Sequence, residues 1–320
     1  MNIGESIGLE LGIPTRNAFG EALRDLASDF PSLVVVDADV GNSTRTEWFG
    51  EAHPERFVQL GIAESNLVSV AAGLAATGRP ALCASFAAFL TCNGFDQIRM
   101  SVGFPNANVK LVGSHAGISI GEDGPSQMGI EDLALLRAVP NMVVLCPADA
   151  HSARSLTRRM LEHEGPVYMR TGRPKVRLVH PEGVDLQIGR AAQLREGGDV
   201  TLIACGIMVA AALEAAATLA AEGVEARVLD MHTIKPLDAD AVLAAARETG
   251  AIVTAEEHLV IGGLGEAVAA CTAAEAPVPV RRVGVNDTYA ESGKGGELLE
   301  KYGLTAAAIV GAAREAIARK

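Results

Sequence analysis

Phe57-Val58-Gln59-Leu60-Gly61-Ile62-Ala63-Glu64-Ser65-Asn66-Leu67 decides the fold. A short apolar strand, Phe57 to Leu60, runs into Gly61; an acid follows, and then an almost uncharged helix from Leu67 to Ala76. The run ends at Gly78, and a strand from Ala81 leads into Ser85-Phe86-Ala87-Ala88-Phe89. An acid and a pair of aromatics therefore sit on consecutive strand ends. A lone carboxylate there is costly if buried, unless something binds it. Two simpler readings stay open from these residues alone: an acid in a first helical turn is favoured by the helix dipole, and two phenylalanines three apart also suit a core.

Outward from that stretch the same alternation continues. Toward the N-terminus, residues 1 to 14 read as a weakly structured lead, then a helix starts with Thr15 or Asn17 as its cap and Phe19, Leu23 and Leu26 as its apolar face. Strand Leu33 to Val36 ends in Asp37-Ala38-Asp39. Beyond the aromatics a helix passes through Phe95, Ile98 and Val102, and strand Val109 to Val112 opens a polar, glycine-rich loop, Gly113 to Gly129. Helix Ile130 to Ala138, strand Met142 to Leu145, helix Ala150 to His163 and strand Val167 to Arg170 complete the first unit. Strands alternating with helices predict a parallel sheet with helices on both faces, and ligands of such sheets lie beyond the carboxyl ends of the strands. Asp39, Ser43, Glu64, Phe86, His115 and Arg170 all fall at or just after strand ends, so one sheet edge gathers them.

The segment from Pro174 to Asp185 carries two prolines, mixed charge and no clean period, and a second α/β unit begins at Gly189. Its expected strands are Val200 to Ala204, Ala226 to Leu229, Ala251 to Thr254 and Val278 to Val283. Its helices are Val209 to Glu222, Asp238 to Thr249, Glu266 to Ala274 and Ala306 to Arg319. The fold class is thus α/β with two domains, 15–186 and 187–320, each a mainly parallel sheet with helices on both faces.

The 320 residues suit two domains on a prior of roughly 100–200 residues each. The net charge of −12 argues against nucleic acid and anionic membranes as main partners, while leaving room for a local basic pocket. Cys83, Cys92, Cys146, Cys205 and Cys271 are scattered and odd in number, as expected of free thiols in a reducing compartment. No C-x-x-C or H-E-x-x-H occurs, so no zinc site is expected. With no signal-peptide pattern and no apolar run of the roughly 20 residues a spanning helix needs, a cytoplasmic protein is expected.

Two glycine motifs fail their context tests. Gly117-Ile118-Ser119-Ile120-Gly121 has the G-x-S-x-G spacing, but Glu122-Asp123-Gly124-Pro125 follows where a hydrolase elbow needs a helix. Gly262-Gly263-Leu264-Gly265 lacks dinucleotide-binding spacing and reads as the turn that starts a helix.

Taken together and in order, the motifs resemble the C-terminal half of transketolase. They are Asp37-Ala38-Asp39, Gly61-Ile62-Ala63-Glu64, Ser85-Phe86-Ala87-Ala88-Phe89, Phe95-Asp96-Gln97-Ile98-Arg99, Ser114-His115-Ala116-Gly117, Gly121-Glu122-Asp123-Gly124-Pro125-Ser126 and Cys146-Pro147-Ala148-Asp149. The resemblance runs from about Thr15 to the end of the sequence. It implies that Glu64 hydrogen-bonds the pyrimidine nitrogen of thiamine diphosphate and so prepares the cofactor's own base, a task for a carboxyl able to share a proton in a desolvated site. Phe86 and Phe89 would pack on the pyrimidine. Arg16, Ser43, His115 and Arg170 match the family's sugar-phosphate positions, chemistry suited to arginines with hydrogen-bond donors. Asp123 would meet the substrate's hydroxyls, and Asp39 would order its loop or touch the sugar.

Two departures refine the expectation. The family's Gly-Asp-Gly, which holds the cofactor's diphosphate and its Mg2+ or Ca2+, is absent. The chain therefore resembles the second subunit of a split transketolase, with cofactor and metal completed by an N-terminal, diphosphate-binding partner subunit in a two-plus-two tetramer. Second, Gln127 stands where the family usually has histidine after Gly-Pro-Ser/Thr. Glutamine donates and accepts hydrogen bonds but does not titrate, which points to an unusual sugar: a specialised ketose phosphate, or a sulfo- or branched-sugar analogue. Competing readings are the beta subunit of a 2-oxo acid dehydrogenase, against which the phosphate-type residues speak, and a scaffold of the same fold without chemistry.

Overall fold

A computed structural model describes residues 3–320. The first unit runs β1 (Leu11–Pro14), α1 (Thr15–Asp25), β2 (Val34–Asp37), α2 (Gly41–Thr44), α3 (Glu47–Ala52), β3 (Phe57–Gln59), α4 (Glu64–Ala76), β4 (Ala81–Phe86) and α5 (Ala87–Gln97). A π-helical turn, Ile98–Gly103, extends α5. There follow β5 (Val109–Ser114), α6 (Asp132–Ala138), β6 (Val143–Leu145), α7 (Ala150–Glu162), β7 (Val167–Arg170) and β8 (Lys175–Arg177). The second unit contains β9 (Ala192–Arg195), β10 (Val200–Ala204), α8 (Met208–Ala221), β11 (Ala226–Asp230), β12 (Thr233–Lys235), α9 (Ala239–Thr249), β13 (Ile252–Leu259), α10 (Leu264–Glu275), β14 (Val280–Val285), α11 (Gly295–Lys301) and α12 (Ala306–Ile317).

The larger sheet has the order β12-β6-β7-β5-β4-β2-β3. All its pairings are parallel except that of β12 with β6. The central strands are buried on both faces, and β2 and β4 accordingly read as nearly continuous apolar runs, while β5 carries a buried Lys110 that donates to the His163 and Gly165 carbonyls. The chain steps outward from β2 to β3 and then returns to the other side of β2 as β4, so the strand order reverses beside β2. The crevice beyond such a reversal is where ligands of open α/β sheets bind. The smaller sheet, β14-β13-β10-β11-β9, is parallel except for β9. Two domains with mainly parallel, helix-flanked sheets are therefore present, as the alternation predicted.

The differences concern short elements. The lead is not loose throughout: β1 pairs antiparallel with β8, so the chain before α1 and the linker after β7 form a small ribbon. No side chain caps α1; the Thr15 hydroxyl instead accepts the Gly172 N–H at 2.7 Å. β12, from the second unit, completes the edge of the first sheet, where Lys235 Nζ donates to the carbonyls of Arg137 and Val139 at 3.0 and 2.5 Å. The G-x-S-x-G run is an irregular turn with no helix behind it, and Gly263 immediately precedes α10, whose first N–H groups, from Leu264 and Gly265, are accepted by buried Glu256. All five cysteines are free; Cys83, Cys146 and Cys205 are buried and Cys92 is exposed. No helix of the described residues is long and apolar enough to cross a membrane.

Candidate functional site

Glu64 is the first residue of α4, and β3 delivers it to the carboxyl edge of the larger sheet. It is only 6% exposed. Ser85, near the end of β4 on the far side of β2, donates its hydroxyl to Glu64 Oε1 at 3.1 Å. Among the described residues nothing hydrogen-bonds Oε2, so one face of a nearly buried carboxyl is left for something else. The uncharged surface of α4 follows from packing, since Leu67, Val68 and Ala71 are wholly enclosed between the sheet and its neighbours.

Phe86 ends β4, and Phe89 lies one turn into α5. Their rings are parallel within 3°, with centroids 5.3 Å apart. His115, just past β5, stacks on Phe86 at 3.9 Å and 7°. His115 is held at φ 57, a left-handed backbone setting that directs its ring back over the strand ends. Its Nε2 lies 2.9 Å from Arg16 NH1 and its Nδ1 lies 2.6 Å from Ser114 Oγ. Arginine only donates, so Nε2 accepts and the ring proton resides on Nδ1, donated to Ser114. Burial, and then the charges of Arg16, Arg173 and Arg45, push the His115 pKa down to about 3, so the imidazole is neutral.

Arg16 is the centre of a cationic cluster. NH1 also donates to the Ser43 carbonyl at 3.0 Å, and its buried Nε has no partner. Burial and the nearby guanidinium groups of Arg45 and Arg173 lower its pKa to about 10. Like charges gathered without a carboxylate on the central member are a place for an anion. Arg173 donates to the Ile120 carbonyl at 3.3 Å and to Asp123 Oδ2 at 3.5 Å, leaving part of its fork at the surface. Asp123 and Gln127 sit on the loop beyond β5, Asp123 exposed and Gln127 half-buried.

Two expectations are corrected. Arg170 does not join the Arg16 cluster. Its Nε donates to Asp132 Oδ2 at 3.0 Å, NH1 to the Glu257 carbonyl at 2.9 Å and NH2 to the Gly129 carbonyl at 2.7 Å. All three nitrogens are spent inside the protein, and Tyr168 completes the network by donating to Asp132 at 2.6 Å. The arginine that lies beside Arg16 and His115 is Arg173. Asp39 does not order its loop through its side chain; at φ 64 it is exposed, and only its N–H is engaged, donated to Gln59 Oε1 at 2.7 Å. The ordering acid is buried Asp37, which accepts from Val40 N–H, Thr44, Thr46 and Gln59. The sequence reading also passed over Ser85 and Arg45. Arg173 had a usable signal: it is the arginine of Arg170-Thr171-Gly172-Arg173-Pro174 that lies beyond the strand end.

The fold and site define a class: a two-domain α/β protein with a buried acid, an aromatic stack and an arginine cluster on the carboxyl edge of its first sheet. Residues 12–179 match the model of the transketolase pyrimidine binding domain, and residues 189–309 that of the transketolase C-terminal domain. The chain is 45% identical over 306 residues to a 6-deoxy-6-sulfo-D-fructose transketolase subunit, SqwH, of Clostridium sp., covering 95% of both chains. It is 41% identical to transketolase of Homo sapiens over 311 residues, which is 96% of this chain and 49% of that one. A solved structure described as "Split gene transketolase, inactive beta4 tetramer" superposes with a TM-score of 0.89 at 48% identity, covering 97% of this chain and 99% of that chain. The chain belongs to the transketolase family. It carries the pyrimidine-binding and C-terminal domains, and membership implies thiamine diphosphate and a divalent metal as cofactors.

Proposed function

We propose that this chain is one subunit of a heteromeric transketolase that transfers a two-carbon ketol unit from an anionic ketose, a phosphate or a like-charged analogue, to an aldose. The observation that carries the reading is Glu64: nearly buried, bonded by Ser85 on one oxygen, free on the other, and beside a parallel aromatic pair. These residues fit a flat heterocycle with a basic ring nitrogen, the pyrimidine of thiamine diphosphate. When bound, that cofactor supplies the carbanion that carries the two-carbon unit.

The chain's own residues have definable tasks. Glu64 shares a proton at Oε2 with the ring nitrogen, and its burial keeps water from competing for that proton. Phe86 and Phe89 give the pyrimidine a dry wall. Arg16 and Arg173 take the substrate's anionic end, with the Ser43 carbonyl and neutral His115 fixing Arg16. Asp123 accepts from the substrate's hydroxyls, and Gln127 faces the sugar as an uncharged donor and acceptor. A single line of side chains, Phe89, Phe86, His115 and Arg16, runs from the aromatic pair that would wall the pyrimidine to the arginines that would take the anionic end.

A second chain, carrying Gly-Asp-Gly, would hold the diphosphate and Mg2+ or Ca2+ and complete a two-plus-two tetramer. The exposed apolar Ile62 (81%), two residues before Glu64, suits a surface closed by another chain. Relatives of the same length support the arrangement: one is named a transketolase subunit, and the structure described as a beta4 tetramer is described as inactive. We divide this chain into a pyrimidine-binding domain, 15–186, and a C-terminal domain, 187–320, and place it in the cytoplasm on its free thiols.

The test is reconstitution with the partner chain, thiamine diphosphate and Mg2+, assayed with ketose phosphates and ketose sulfonates against an aldose acceptor. Glu64→Ala is expected to lower kcat about 100-fold or more. Full activity in that variant overturns the assigned role. Turnover of pyruvate with an artificial electron acceptor, and none of sugars, replaces the reading with a 2-oxo acid dehydrogenase.

A further inference from the structure

The 116–129 loop, which carries Asp123 and Gln127, contains only turns and one bridge between Ala116 and Gly129. Much of what holds its backbone comes from the second domain. At the base, Glu257 of β13 is buried and its Oε1 accepts the Ser119 N–H at 2.6 Å. Gly117, at φ 80, has no room for a side chain because the Glu257 carboxylate occupies that space. Arg170 ties the Glu257 carbonyl and the Gly129 carbonyl together, so a single guanidinium holds both sides of this junction. Leu259 N–H donates to the Ile130 carbonyl at 2.9 Å, just past the loop. Along its outer side the loop lies on the turn before α11: Gly293 N–H reaches the Gly121 carbonyl at 3.5 Å, and a Cβ on Gly295 would stand 2.5 Å from the Ser119 carbonyl.

We infer that the second domain sets the conformation of the substrate loop, with Glu257 as the positioning residue that places Asp123 and Gln127 before the sugar. The placing of substrate rests on the function proposed above; the setting of the loop does not. A carboxylate is expensive to bury, and this one is buried where its oxygens can receive main-chain N–H groups of a segment that has no helix or strand of its own. Without Glu257 the Ser119 N–H has no internal partner among the described residues, and the loop loses the contact that fixes its path.

The test uses hydrogen exchange on the full chain, alone and assembled, for Glu257→Gln and Gly295→Ala. Glutamine keeps the shape but turns one acceptor into a donor; the alanine presses on the loop from outside the first domain. Each variant is expected to speed exchange across 117–127 about tenfold or more while both sheets keep wild-type protection. In the reconstituted enzyme both should raise the ketose KM by a larger factor than they lower kcat, with thiamine diphosphate affinity unchanged because Glu64 sits on α4. Unchanged loop exchange in both variants overturns the inference, as does a uniform rise across both domains, which marks a merely structural role. Faster loop exchange with an unaltered KM overturns the substrate-placing part. Wild-type enzyme that turns over no sugar at all removes the function while leaving the exchange result standing.

Discussion

Arg170 and Arg173 lie three residues apart and have opposite fates. Removing the Arg170 side chain strands Asp132, whose side chain is fully enclosed, with only Tyr168 for company. Arg170→Ala is expected to cost about 3–5 kcal/mol, read from chemical unfolding midpoints. Arg173→Ala should leave stability within about 0.5 kcal/mol. In the assembled enzyme it should raise KM about tenfold for a phosphorylated or sulfonated ketose, the loss of one charged hydrogen bond, with much less effect on an uncharged donor. His115 gives a pH prediction. Its ordinary value of 6.5 falls to about 3 in the folded chain, through burial first and the arginines next. The folded state therefore refuses a proton that the unfolded chain accepts. The stability this confers is fully present above pH 6.5 and is lost as pH falls toward 3. His115→Gln, which retains a hydrogen-bond acceptor, should flatten the fall of unfolding free energy between those limits. A slope identical to wild type would refute the neutral assignment.

At the scale of elements, the parallel strands and most of their helices were legible because the strands are compact apolar runs and the helices carry apolar residues at helical spacing. Strand ends fixed the position of Glu64, Phe86 and His115 without any knowledge of contacts. β1, β8, β9 and β12 were not legible: unlike the equally short β2, β3, β6 and β7 they carry no apolar run, and their antiparallel pairing is decided by what the tertiary fold brings alongside. The two arginines show the same limit in a single residue. Being last on β7 told where Arg170 begins, but which face of the sheet its side chain takes depends on a pleat whose phase the sequence leaves open. Loop 116–129 was recognisable from its glycines, whereas the reason for Gly117 became visible only when Glu257, far along the chain, arrived beside it. β12 carries its own prediction. Lys235→Met removes two bonds to carbonyls at the end of α6 and just beyond it and should destabilise by about 1–3 kcal/mol, measured by urea unfolding. No change would mean that the strand alone secures this edge.

At the scale of the whole molecule, the linker between the sheets is not a clean seam. β12 belongs to the first sheet by hydrogen bonding and to the second unit by connectivity. A chain cut after residue 186 keeps every residue assigned to the cofactor and substrate but exposes β6 as a bare edge. Such fragments are expected to aggregate, since unpaired edges recruit other strands; size-exclusion chromatography showing a stable monomer with native circular dichroism would contradict this. The same strand has a consequence during synthesis. At ribosomal speeds, roughly 90 residues of translation separate Leu145 from Thr233, a delay on the order of ten seconds. For that interval the nascent first sheet emerges with its last neighbour still unmade, so a cell producing this protein must shelter an open β6 edge until the missing strand leaves the ribosome.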